Sequence, residues 1–112
     1  MTTPEEQEGA YDAFRRGSEL LAMNEFRQAA IPLEIAKRLE PDKGSIREAL
    51  GRAYLASRSY RQAADEFAAA VNLHPTDRYA HFGLARSLER LGDTRMAARH
   101  YKLARLFGWE EK

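Results

Sequence analysis

A period of 34 residues constrains this chain more than any other feature. Pro41 and Pro75 stand 34 apart, as do Gly17 and Gly51. Ala29, Ala63 and Ala97 form a third series in the same register, and Ala36, Ala70 and Ala104 a fourth. Between the two alanine series lie Leu33, Phe67 and Tyr101, again at 34. A fixed period of this length marks a tandem array of one supersecondary unit. Each unit is too small to bury its own apolar face, and stacking on a neighbour completes the core. Three windows follow, about 10–43, 44–77 and 78–111, within a single domain spanning 1–112.

Each window divides into two amphipathic helices, and no segment alternates with the period of a strand. The expected helices are 4–22, 25–39, 45–57, 60–73, 77–91 and 94–107. Ser45 with Glu48, and Ser59 with Gln62, have the spacing of capping boxes. Thr3, then Pro4 and Glu6, open the first helix. Asn24 and Asp93 are expected to cap the second helices of their windows, and Thr76 or Asp77 the first helix of the third. Pro41 and Pro75 close second helices. Pro32 falls inside a helix, but the apolar series Leu33, Ile35, Ala36 and Leu39 runs on past it, so a kink is expected there and not an end. Gly51 and Ala63 remove bulk where paired helices cross, and Phe67 and Tyr54 fill the space.

The middle window carries Leu50-Gly51, Tyr54, Ala63, Phe67, Ala70 and Pro75 in order. This resembles the tetratricopeptide repeat (TPR), whose pattern is Leu-Gly, an aromatic residue, Ala, an aromatic residue, Ala and a closing Pro. The third window keeps Leu84, Leu88, Gly92-Asp93, Ala97, Tyr101 and Ala104, with Ala85 in place of the Gly and Trp109 in place of the Pro. The first departs further, with Arg16 before Gly17. The resemblance covers residues 10 to about 109. It implies an all-α fold in which antiparallel helix pairs stack into a right-handed α-solenoid.

Composition narrows the function. There is no cysteine, which excludes a disulfide scaffold, a thiolate metal site and a cysteine nucleophile. No apolar run follows a basic start, and no window approaches a membrane span, so a cytoplasmic protein with no membrane contact is expected. The formal net charge is +1, distributed as about −3, 0 and +4 over residues 1–43, 44–77 and 78–112. Basic residues are not gathered on one helix face and the N-terminal part is acidic, which argues against nucleic acid.

Candidate chemistry is sparse. His74 ends a helix, and His81 and His100 lie on different helices without a carboxylate at metal-ligand spacing; surface or packing roles are expected for them. Gly83, Gly92 and Gly108 are isolated and make no phosphate loop. Glu5, Glu6 and Glu8 answer the dipole of a helix start, and Glu110, Glu111 and Lys112 read as a solvated tail. No catalytic residue, metal site or cofactor is expected, and the chain is not read as an enzyme.

In tetratricopeptide arrays one stripe of each first helix lines the concave groove. Carried onto this sequence, the stripe gives Tyr11, Phe14 and Ser18, then Glu48 and Arg52, then Tyr79, Phe82, Arg86 and Arg90 as groove residues. The simpler reading of the aromatics is packing between helices. The Lys and Asn of the known carboxylate-gripping mode are absent, their first-window places being Phe14 and Ser18. The expected function is an interaction module that binds an acidic or amphipathic segment of another protein. The alternatives are self-assembly and an RNA-binding helical repeat. For self-assembly, Tyr101, Leu106, Phe107 and Trp109 form an apolar set that could join two copies as a homodimer through the C-terminal helix. The polar Asp12, Arg16 and Glu19, set where the middle window has Ile46, Leu50 and Ala53, lead to the expectation that no repeat precedes the first.

Overall fold

The computed structural model of the chain describes residues 9–110. The described residues form α1 (Ala10–Ala22), α2 (Phe26–Leu39), α3 (Gly44–Ala56), α4 (Tyr60–Leu73), α5 (Arg78–Arg90) and α6 (Thr94–Leu106), with no strand among them. The opening signal at Thr3, Pro4 and Glu6, the carboxylates Glu5 and Glu8, and the tail residues Glu111 and Lys112 lie outside the described residues.

The helices pair as α1–α2, α3–α4 and α5–α6, and each pair stacks on the next to give a body of 49 × 24 × 24 Å. Close approach is built from the repeat residues. Ala29, Leu33, Ala63, Phe67, Ala70 and Ala104 are all fully buried. Phe67 of α4 shows why small residues are required opposite it. A Cβ placed on Gly51 of α3 would come within 2.9 Å of the ring, and one on Gly83 of α5 would also collide with it. The ring is therefore slotted between two helix backbones and ties the second pair to the third. In the first pair, Leu33 lies against Gly17 in the same way, 2.5 Å from where a Cβ would stand. Pro32 is buried inside an unbroken α2.

Two start signals hold and three are corrected. The Asp77 carboxylate accepts from the backbone N–H of Tyr79 at 3.0 Å and Ala80 at 3.1 Å, and Asp93 accepts from Met96 at 3.2 Å. Asn24 does not cap α2; Glu25 holds that place, and Asn24 has φ +60° in the turn that closes α1. Ser45 does not cap α3, which begins a residue earlier with Lys43 at the cap position and no side-chain cap bond. Ser59 does stand at the cap of α4, but its hydroxyl makes no capping bond either.

Candidate functional site

The first helices α1, α3 and α5 touch one another across repeats and so line the inner side of the stack. Their stripe residues meet there. Phe14, Ser18 and Leu21 of α1, Glu48, Ala49 and Arg52 of α3, and Tyr79 of α5 line a cleft of 590 Å³. Arg52 is shared with an adjoining cleft of 290 Å³, closed by Leu55, Tyr60, Arg86 and Arg90. Phe14 is shared with a third, of 480 Å³, which contains Tyr11 and Ile46. The three are contiguous, so a groove runs from Tyr11 to Arg90. A further recess of 400 Å³ sits between the turns at Asn24 and Arg58 and shares Ala56 with the arginine cleft.

The groove places the Glu48 carboxyl on the same helix as Arg52. Glu48 is hydrogen-bonded to Asp77, and burial, with the bond and charge of Asp77, pushes its carboxyl up to about 7. Asp77 already accepts two backbone N–H groups. The shared proton therefore rests on Glu48, the residue without such stabilisation. Burial raises the Tyr79 hydroxyl as well, against the opposing influence of Arg52. The Arg90 guanidinium lies 6.0 Å over the Tyr60 ring, a cation–π arrangement that orients it without neutralising it.

One stripe residue is covered by its own chain. Phe82 stacks on Trp109, with ring centroids 4.2 Å apart and planes at 19°, and meets Tyr101 edge-on at 5.8 Å. Trp109 also contacts Tyr79 at 5.8 Å, and its indole N–H is buried without a hydrogen-bond partner. The segment after α6 thus turns back over the third-repeat end of the groove. The residues of the expected self-association patch are placed the same way. Tyr101 bonds Glu89, Phe107 lies against His81 at 5.5 Å, and Trp109 covers Phe82. Of that set, Leu106 faces solvent, at 69% exposure.

Two polar clusters were not foreseen from the sequence. Glu66 of α4 is buried and receives Lys37 of α2 at 2.8 Å and Arg47 of α3 at 3.0 Å. Beside it, the Tyr54 hydroxyl donates to Glu34 at 2.6 Å. This network clamps the seam between the first and second repeats. The separations of 29 and 19 residues leave no local pattern to read. The second cluster is a stacked histidine pair. His81, nearly fully buried, bonds His100 Nδ1 to Nδ1 at 3.0 Å and reaches the Pro75 carbonyl through Nε2 at 2.7 Å. The expected packing role holds for His81. Among the described residues no group of three side chains suits a metal ion, and no helix is long and apolar enough to cross a membrane.

No known family profile matches the chain. Superkiller complex protein 3 of Homo sapiens is 33% identical over 89 residues, which is 80% of this chain and 6% of that protein. Among solved structures, the second TPR of Spaghetti (RPAP3), bound to an HSP90 peptide, superposes with a TM-score of 0.85 at 16% identity, over 92% of this chain and 95% of that one. A MamA structure from Desulfovibrio magneticus gives a TM-score of 0.81 at 24% identity, over 87% of this chain and 55% of that one. The 34-residue signature and this likeness agree on the fold: three stacked helix pairs with the architecture of a tetratricopeptide-repeat array.

Proposed function

We propose that the chain is a protein-interaction module whose groove receives a segment of another protein. The observation that carries this is the continuous cleft along α1, α3 and α5, in which Phe14, Leu21 and Ala49 offer an apolar floor and Arg52, Arg86 and Arg90 a cationic wall. A concave surface with a few converging polar groups is where a ligand gains most from burial. Aromatic and Arg side chains are the usual anchors of such contacts. One structure of like fold was solved with a peptide bound, which supports the reading without supplying the ligand.

Site-directed photo-crosslinking tests it. A benzoylphenylalanine placed at Ser18, in the groove, should capture a partner in the source cell, and the adduct should weaken in Arg86→Glu/Arg90→Glu. The same probe at Arg61, exposed on α4, should capture nothing comparable. Equal capture at Arg61 would place the contact elsewhere. The alternative of self-association is separated by light scattering across a range of concentrations, where a chain that stays monomeric removes it.

A further inference from the structure

Resting on that groove reading, we propose that Arg52, Arg86 and Arg90 form an acid-reading subsite for an extended partner segment with carboxylates at alternate positions. The three guanidinium groups come from two helices and line one cleft of 290 Å³ with Tyr60 and Leu55. Like charges gathered in this way cost stability. Arg86 and Arg90 stand one turn apart on the same helix, a spacing at which like charges repel. Two carboxylates on the same helices stand within a turn of them, and both are engaged by other partners. Glu48 stands four residues before Arg52, yet it is bonded to Asp77 and holds a proton near neutrality. Glu89 stands three after Arg86, yet it accepts the Tyr101 hydroxyl at 3.1 Å across α6. No ion pair of Arg52, Arg86 or Arg90 forms among the described residues, whereas Arg47 and Lys37 converge on Glu66. The positive charge in this cleft is therefore left for a ligand.

Spacing selects the ligand. One helical turn separates Arg86 from Arg90 by about 6 Å along the axis. Alternate side chains on one face of an extended chain repeat at about 6.6–6.8 Å. Two carboxylates two residues apart match that interval, while a single compact anion would need the guanidinium groups to converge on one point. Tyr60 and Leu55 give the intervening aliphatic carbons an apolar wall.

The test is a titration of the ¹⁵N-labelled protein followed at the arginine Nε–H resonances. The probes are acetyl-Glu-Ala-Glu-Ala-Glu-amide, its Lys counterpart and inorganic phosphate. The acidic peptide should shift Arg52, Arg86 and Arg90 saturably, leave Arg61 and Arg105 in place, and weaken about tenfold or more in Arg86→Glu/Arg90→Glu. The Lys peptide should move none of the three. Shifts spread evenly over all arginines would overturn the proposal. So would phosphate moving the same three more strongly than the peptide at equal concentration, because a compact anion would then be the better fit. If capture at Ser18 persists while these resonances stay silent, the groove reading survives and the acidic subsite falls.

Discussion

Gly83→Ala should destabilise the array, although alanine is the better helix former. Alanine in place of glycine in a helix interior contributes about 1 kcal/mol in its favour. Against this stands the ring of Phe67. A Cβ on Gly83 would collide with the ring's Cε1 and Cζ and stand 2.6 Å from Cε2. The ring has no room to yield, since it is fully buried and backed by Gly51 on its other side. Carbon contacts settle at roughly 3.5–4.0 Å, so α5 must withdraw from α4 by about 1 Å. Overpacking of this kind costs about 1–3 kcal/mol, and a rigid ring places it at the upper end. The net loss is then about 1–2 kcal/mol, or roughly 4–15 °C in Tm for a domain of this size. Urea unfolding followed by far-ultraviolet circular dichroism measures it, with an unchanged m-value as the check that only stability has moved. Phe67→Leu, which removes the far edge of the ring, should cost less in the Gly83→Ala background than in the parent, with a coupling of about 1 kcal/mol. A Gly83→Ala protein as stable as the parent, or strictly additive double-mutant energies, would refute the slotted-ring account. The same displacement moves Arg86 and Arg90 away from Arg52, so it should weaken binding of an acidic peptide as well.

Four further outcomes follow from the polar side chains and the tail. Glu66→Ala leaves Lys37 and Arg47 facing each other at a half-buried seam and should cost about 2–4 kcal/mol by urea unfolding, part of which Lys37→Met should restore. His100 is held below its usual 6.5 by burial, then by the charges of His81 and Arg99. Stability should therefore fall as pH drops from 6.5 through the folded value, a slope that His100→Asn removes. Glu48 acts in the opposite sense: raised from 4.5 to about 7, it withdraws stability as pH rises across that interval, so Glu48→Gln should raise the urea midpoint at pH 8 and not at pH 4. Trp109, the sole tryptophan, should emit at blue-shifted wavelengths and resist iodide quenching; a fully solvated spectrum would show that the tail does not cover Phe82.

What the sequence conveyed was the repeat, and with it every helix pair, because small and aromatic residues at a fixed period are dictated by backbone approach. The span of α4 was read to the residue, and the other described boundaries to within one, apart from the start of α1. The turns were harder. Asn24, Arg58 and Gly92 stand 34 apart, and all three have positive φ, at +60°, +65° and +89°. They form a further periodic series that closes each first helix. The residue types hide it, because Asn also suits a helix cap and Arg carries no preference for the left-handed region. Strain at Arg58 is imposed by the pairs that flank it. The stripe of Phe14, Ser18, Glu48, Arg52 and Tyr79 followed from helical spacing, and its place along a cleft from the resemblance to tetratricopeptide arrays. The covering of Phe82 was not, because Trp109 lies 27 residues further on and reaches it only through the fold.

The placement of charge links the repeat seam to the groove. At the seam of the first two repeats the buried Glu66 holds two half-buried cations, and Glu34 is bonded to Tyr54 and Lys37. Such a network fixes how one repeat sits on the next, because a slip would strand a buried carboxylate. On the inner face the opposite arrangement holds. Carboxylates within one turn of Arg52 and Arg86 are engaged with Asp77 and Tyr101. A chain shaped by stability alone would let these carboxylates neutralise the arginines, at a gain of a few tenths of a kcal/mol per pair. Forgoing that gain at two places in one cleft leaves the positive charge that the proposed acidic subsite requires, and the seam behind it holds the first two repeats in register.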